Sequence, residues 1–319
     1  MAIKTKEHKR IKWSALTPKE ITWLWQDRIP FGKITVLVGD TGLGKTMLAI
    51  DIAARITTGR PMPLSSAEPI TGSVLFQSNE DDKEDTLLPR CIAAGADSDK
   101  IESIEAINLN FDDDCDIIEQ HIQETNARLI IFDPLQGFTG RNADMCRITD
   151  MRRLMTNLGG IVARNNCAAI IIAHQNKALG AKELHRVFGS VDITAAARSV
   201  LRISALENDP ETRIISHIKS SVSRPGAPIT YRIDDSGSIQ YLGEYDGDIG
   251  AGEVSDDSSK RAKVAEILYE MLNESPKESK EVYRACKEAG IGTRTVERVK
   301  KELNVRSERD GNKRLWVLS

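Results

Sequence analysis

Short apolar runs and longer amphipathic stretches alternate along the chain as far as Tyr241. Ile34–Val38, Ser73–Gln77, Leu129–Phe132 and Ala168–Ala173 are short β-rich or continuous apolar runs, and Met47–Ile56, Asp114–Glu124 and Asp150–Asn165 carry helical periodicity. A continuously apolar strand is buried on both faces. Such strands alternating with helices predict a parallel sheet covered on both sides, an α/β fold. Val200–Ala205, Arg213–Ile218, Ile229–Ile233 and Ser238–Tyr241 then follow closely with turn residues between them, which predicts antiparallel strands.

The pattern stops between Tyr241 and Lys260. Six acidic residues lie between Glu244 and Asp257 among Gly and Ser, with no basic residue before Lys260. A stretch of that composition buries little, so residues 244–260 are expected to be a flexible acidic linker. Beyond it the pattern resumes. Arg261–Leu272 reads as a helix with Val264, Ile267, Leu268 and Leu272 on one face. Pro276–Glu288 reads as a second, with Ser275 as its cap, Glu278 closing a capping box and Ser279 as a competing start. Thr293–Leu303 reads as a third, apolar at Val296, Val299 and Leu303, with Arg294, Thr295, Arg298 and Lys301 outward. The last residues read as a hairpin around Asp310-Gly311. This order of elements is similar to a winged helix, which implies a third helix in the major groove and a hairpin against the backbone. The hairpin's Arg306, Arg309, Lys313 and Arg314 suit that task, while Glu297, Glu302 and Glu308 dilute the field. A protein-docking winged helix is the alternative.

Composition adds bounds. The 319 residues are 40% hydrophobic, enough for a core and about two domains. The formal net charge of -3 hides an asymmetry, because residues 260–319 hold 15 Lys/Arg against 10 Asp/Glu. The five cysteines are scattered without a CxxC pair, as expected for reduced thiols in a cytoplasmic protein. No apolar run approaches the ~20 residues of a membrane span, and the start has no signal-peptide core.

One stretch carries specific chemistry. Val38-Gly39-Asp40-Thr41-Gly42-Leu43-Gly44-Lys45-Thr46 contains G-x-x-x-x-G-K-[ST] between a strand and a helix. Glycines let backbone N–H groups turn inward around a phosphate. Lys45 offers a cation to the β and γ oxygens, Thr46 a hydroxyl to Mg²⁺, and the helix its positive end. ATP and Mg²⁺ are the expected ligands of residues 39–46. Asp133 ends the strand Leu129–Phe132 and can hold the Mg²⁺ through water. Pro134 follows it, so an acid that polarises water comes from elsewhere. Glu80, in Ser78-Asn79-Glu80-Asp81-Asp82 after the strand 73–77, is the candidate, with Asp81 and Asp82 as close competitors. His174 and Gln175 end the strand Ala168–Ala173, where a polar pair can sense the γ-phosphate.

These four parts in this order resemble the RecA-like ATPases, and within them the hexameric replicative helicases of plasmids and mobile elements. The resemblance covers roughly residues 29–241, through RIPFGKITVLVGDTGLGKTMLAIDIAARITTG, SNEDD, IIFDPL and IIIAHQNK. It implies a catalytic glutamate at Glu80, a metal aspartate at Asp133, a sensor at His174, and a ring with ATP between subunits. Gly189–Arg198 is similar to the family segment that carries an arginine finger, so Arg198 is expected to act on the neighbour's nucleotide. Lys219 and Arg224, in HIKSSVSRPG, are candidates for a second trans cation, and Arg202 is the bland alternative. About 30 residues precede the core, where the family's long members have a collar or primase-binding domain. Trp13, Trp23 and Trp25 there would pack into the core or dock on the next subunit.

Two loops, 137–150 and 176–189, bring Arg141, Lys177, Lys182 and Arg186 as candidates for phosphates of single-stranded DNA in a ring channel. The expected organisation is an arm (1–28), a RecA-like domain (29–243), the linker (244–260) and a winged-helix-like domain (261–319). The expected activity is that of an ATP-driven DNA helicase or remodelling ATPase in replication of a mobile element, with DNA, further copies of the chain (a hexamer) and a primase or initiator as partners. The alternative is a DNA-binding regulator or accessory loader switched by ATP without unwinding.

Overall fold

The structure, a computed structural model, describes residues 10–106, 109–140, 148–174, 196–206, 209–247, 264, 267–268, 271–272, 276–289, 291–303, 305–310 and 313–317. In chain order the first body contains the hairpin β1 (Trp23–Trp25) and β2 (Ile29–Pro30), then β3 (Ile34–Gly39), α1 (Lys45–Thr58) and β4 (Ser73–Ser78). A helical turn at Lys83–Leu87 leads to α2 (Leu88–Ala93), followed by β5 (Ile101–Glu102), α3 (Cys115–Thr125), β6 (Ala127–Asp133), α4 (Ile148–Arg164) and β7 (Ala168–His174). Four strands close it: β8 (Ser199–Leu206), β9 (Asp209–Ser220), β10 (Ile229–Ile233) and β11 (Ile239–Glu244).

Nine strands form one sheet in the order β11-β10-β9-β8-β3-β7-β6-β4-β5. From β8 to β5 every neighbouring pair is parallel, and β9, β10 and β11 add antiparallel strands. The expected mostly parallel sheet is therefore present. The first of the four strands expected to be antiparallel, β8, instead runs parallel to β3 and turns antiparallel only toward β9. Short spacing told which strands follow one another, not which partner each one takes.

Successive residues of a strand point to opposite faces. Ile130, Phe132, Val36 and Val38 pack under α3 and α4, while Leu129, Ile131, Leu37 and Phe76 pack under α1. On α4 the buried Met151, Leu154, Met155, Leu158, Ile161 and Val162 recur at three- and four-residue steps, one stripe laid on the sheet. Helix α1 ends where Gly59 adopts φ 69° and returns its N–H to the Arg55 carbonyl. The three tryptophans expected to act together divide: Trp25 is fully buried, Trp23 half-buried, and Trp13 is 88% exposed. Leu24 and Trp25 are part of the buried core under α1.

The C-terminal residues form a small sheet with its own core. Residues 264, 267–268 and 271–272 are helical, followed by β12 (Lys277–Glu278), α5 (Ser279–Glu288), α6 (Thr293–Glu302), β13 (Arg306–Asp310) and β14 (Lys313–Val317). The sheet order is β12-β14-β13. Val264, Leu268, Val282, Cys286, Val296, Val299 and Trp316 make the core. The second helix starts at Ser279, not at Pro276. Lys277 and Glu278 are extended because they pair with Trp316 and Leu315, so the helix start read at Pro276 gives way to tertiary pairing. Ser275 itself and most of the acidic linker lie outside the described residues.

Candidate active site

The ends of β3, β4, β6 and β7 lie level in the sheet. Gly39 is in register with His174, and Ser78 with Asp133. Everything that leaves this carboxyl rim therefore meets at one place, where open α/β sheets bind ligands. The loop 39–46 leaves β3 there. Gly39 lies against β8, where an added Cβ would collide with the Ile203 carbonyl. Gly44 caps α1 at φ 80°, a left-handed conformation that suits glycine.

Lys45 is 4% exposed. Its ammonium donates to the Gly39 carbonyl at 2.9 Å and the Asp40 carbonyl at 2.8 Å. Burial lowers its pKa, and the nearby Asp133, Asp40 and Glu80 carboxylates oppose that. A desolvated cation folded onto its own loop carbonyls is one that a phosphate can attract away.

Asp133 is 3% exposed, and the Asp133–Pro134 peptide is cis. The Thr46 hydroxyl donates to the Asp133 carboxylate at 2.6 Å. Thus the first turn of α1 and the end of β6 bring two oxygen ligands together. Mg²⁺ is held by one or two protein oxygens plus waters and phosphates, and this pair fits that pattern. Among the described residues no cluster of three or more His, Cys, Asp or Glu forms a separate metal cage. The exit from β6 is anchored by Phe132, Phe138 and Phe111, with ring centroids 4.7 to 5.9 Å apart.

The loop after β4 is tied to the same place. The Asn79 backbone N–H donates to the Asp133 carbonyl at 3.0 Å, and its side-chain amide donates to the Gly137 carbonyl at 2.7 Å. The three neighbouring acids then separate. Asp81 pairs with Arg90 at 2.7 Å. Asp82 accepts from the N–H groups of Glu84 and Asp85 at the start of the 83–87 turn. Glu80 is exposed, and its charge is among those acting on Lys45. The two competitors for the water-activating role thus have identified structural partners, and the Glu80 charge is felt at Lys45. His174 reaches the rim through its backbone register beside Gly39, and Gln175 lies outside the described residues.

A family model described as an AAA domain matches residues 4–180. The chain belongs to the AAA-type P-loop ATPases. The match spans Lys45, Thr46, Glu80, Asp133 and His174 and ends before β8. No curated protein matches the chain. The fold of this ATPase is RecA-like, and the expected helices lie on both faces of the sheet.

The remaining candidates of the ATPase lie elsewhere. The Arg198 N–H donates to the Ile34 carbonyl at 3.1 Å, at the amino end of β3. β3 has six residues, so at about 3.3 Å per residue the two rims stand roughly 20 Å apart. Arg198 is exposed at the amino rim and lines a cleft of about 390 Å³ with Lys33, Arg152, Thr156, Gly159 and Ala196. Lys219 joins it, donating to the Ala197 carbonyl at 2.8 Å. Burial lowers the Lys219 pKa, and the Arg198 cation lowers it further. Arg224 is exposed on the loop between β9 and β10. Arg202, by contrast, is in register with Val38 near the carboxyl rim and only 8% exposed. Arg141, Lys177, Lys182 and Arg186 lie outside the described residues.

The motifs assigned no role to Asn79, Lys33 or Arg152. None has a local signature, and each gains its position only when distant strands become neighbours.

Proposed function

We propose that this ATPase is a ring-forming DNA helicase or DNA-remodelling motor of a plasmid, phage or integrative element, acting in DNA replication. The observation that carries the reading is the separation of the charges. Lys45, Thr46, Glu80 and Asp133 converge on the carboxyl rim, while Arg198, Lys219 and Arg224 lie on the amino rim, farther than a side chain reaches. A cation needed in the transition state then comes from the next copy of the chain, as in a ring with shared sites.

In that site Lys45 and the loop N–H groups hold the β and γ phosphates of ATP. Thr46 and Asp133 would hold Mg²⁺, which when bound neutralises phosphate charge. Glu80 orients a water and takes its proton as the water oxygen bonds to the γ-phosphorus. The bond from that phosphorus to the β–γ bridging oxygen breaks, and ADP leaves. Arg198 of the next subunit spreads its charge over the moving phosphoryl oxygens, with Lys219 or Arg224 as a second cation. His174, level with the phosphate loop, reports the state of the γ-phosphate.

The DNA end of the proposal rests on the basic tail. Lys280, Arg284 and Lys287 follow one another at helical spacing on α5 and are exposed, as are Lys301 and Arg306. The side chains of Arg294, Arg298, Arg309, Lys313 and Arg314 lie outside the described ones. The tail is read as a winged-helix-like duplex-binding unit and the ring channel as the path of single-stranded DNA, with a primase or initiator as a further partner.

Measured ATPase activity should rise several-fold with single-stranded DNA, and a labelled strand should be displaced from a forked duplex. Hydrolysis indifferent to DNA, with no strand displaced, would leave the ATP-switched regulator or loader instead. Deleting residues 261–319 should weaken duplex binding and spare basal hydrolysis. Unchanged duplex affinity would point to protein docking.

A further inference from the structure

His217 sits on β9 where the ladder with β8 slips. Val200 pairs with Lys219, but Leu201 pairs with His217. The bulge turns the imidazole inward, and the residue is 9% exposed. The Gly226 N–H donates to Nδ1 at 3.0 Å. Nδ1 is therefore the bare nitrogen, and Nε2 carries the proton and donates to the Ser199 hydroxyl at 3.0 Å. That hydroxyl in turn donates to the Arg28 carbonyl at 2.6 Å. One neutral ring thus joins β9, β8, the 25–29 turn and the loop 221–228.

The same loop is held from its other side. The Arg28 guanidinium donates to the Ala227 carbonyl and lies 5.2 Å from the Trp25 ring centre. A Cβ on Gly226 would come within 2.9 Å of the Arg28 guanidinium carbon, so a larger residue there would push the end of that arginine aside. At the start of the loop the Ser221 N–H donates to the Arg198 carbonyl at 2.9 Å. Arg224 therefore stands on a short loop fixed at Ser221 beside Arg198 and at Gly226 by His217.

We propose that His217 is a positioning residue whose Nδ1 latches Gly226 and so holds Arg224 in line with Arg198 and Lys219. The proposal rests on the reading of the amino rim as the half of the site given to a neighbouring subunit. Arg198 and Lys219 are placed by the sheet itself. Arg224 is placed by a loop, and the His217 imidazole is the side chain that fixes its Gly226 N–H, alongside the Arg28 contact to Ala227 and the Ser221 contact to Arg198.

The test uses the full-length chain in steady-state ATP hydrolysis. Asparagine puts its amide oxygen near the Nδ1 position, and glutamine puts its polar end near the Nε2 position. H217N should keep turnover within about two-fold of the parent, while H217Q and H217A should lose about five- to ten-fold, the worth of one buried hydrogen bond. KM for ATP should stay unchanged, since the phosphate loop is at the other rim. Combined with R224A, H217Q should cost nothing more, because it acts through Arg224. Equal turnover of H217N and H217Q, or a double variant slower than R224A by the full H217Q factor, would overturn the latch. Parent-like turnover of both R224A and K219A would instead overturn the reading of the rim on which the latch rests.

Discussion

The two rims of the sheet treat charge in opposite ways. At the carboxyl rim Lys45 and Asp133 are nearly excluded from water, and each has a partner within hydrogen-bond distance. At the amino rim Arg198 and Arg224 stay exposed, and Lys219 is half-buried. A buried, preorganised set of groups suits phosphate chemistry, because fixed dipoles in a dry site act strongly on developing charge. An exposed set is suited to meeting something that arrives. The contrast suits the nucleotide to the carboxyl rim and is the ground for the proposal that the amino rim serves a neighbouring subunit.

The largest expected effect would break or uphold that division directly. Arg198→Ala should lower ATP turnover by about a thousand-fold or more. Mixing it with an equally inactive Lys45→Ala protein should restore activity, since each supplies the half the other lacks. Near-normal turnover of Arg198→Ala alone would end its trans role. Next, Glu80→Gln should reduce turnover by roughly a hundred-fold or more while leaving ATP binding intact, as read by equilibrium titration. Asp81→Asn, with its structural partner Arg90, should not share that loss, and an equal loss would reassign the base.

A pH experiment sharpens the contrast more gently. Burial and the Arg28 cation hold the folded His217 pKa down at about 4, against an ordinary value of 6.5. Between those values the unfolded chain binds a proton that the folded chain refuses. This contribution to stability is therefore full above pH 6.5 and lost progressively as the pH falls to about 4. Melting temperature followed from pH 7 to 4 should show that loss, and His217→Asn should remove that part of it. Identical profiles would contradict the neutral, buried ring. The smallest effect is a control on both rims. The Tyr241 hydroxyl donates to Asp51 at 2.7 Å, and Asp51 also pairs with Arg55 at 2.8 Å. Tyr241→Phe should cost about 1–2 kcal/mol of stability in denaturant unfolding and leave turnover alone. A hundred-fold fall in turnover would mean that the rims do not contain the chemistry.

Much of the first rim was legible in sequence. The phosphate loop is contiguous, so its glycines, Lys45 and Thr46 announce themselves. Asp133 and His174 each end an apolar run, and a parallel sheet aligns strand ends. Glu80 could be narrowed to three acids by its place after β4. Its separation from Asp81 and Asp82 needed Arg90, which reaches back from α2, and the turn that Asp82 caps. The second rim was readable only through family likeness, because it is assembled from Ile34, Arg198, Lys219 and Ser221 across strands whose pairing no local pattern records. The C-terminal unit shows the same limit in small. The helix start read at Pro276 lost to two ladder pairs, of Lys277 with Trp316 and Glu278 with Leu315.

By itself the sequence determined that this protein has a parallel α/β core with a P-loop, a strand-end aspartate opposite it, and a basic tail beyond an acidic spacer. Those follow from periodicity and contiguous motifs, which act over a few residues. Only the tertiary structure decided that β8 lies parallel beside β3, that Lys45 and Arg198 therefore stand at opposite ends of neighbouring strands, and that His217 touches Gly226 and, through Ser199, Arg28. The physical reason is that strand pairing and burial are properties of the whole sheet, and they bring together residues that have no neighbourhood along the chain.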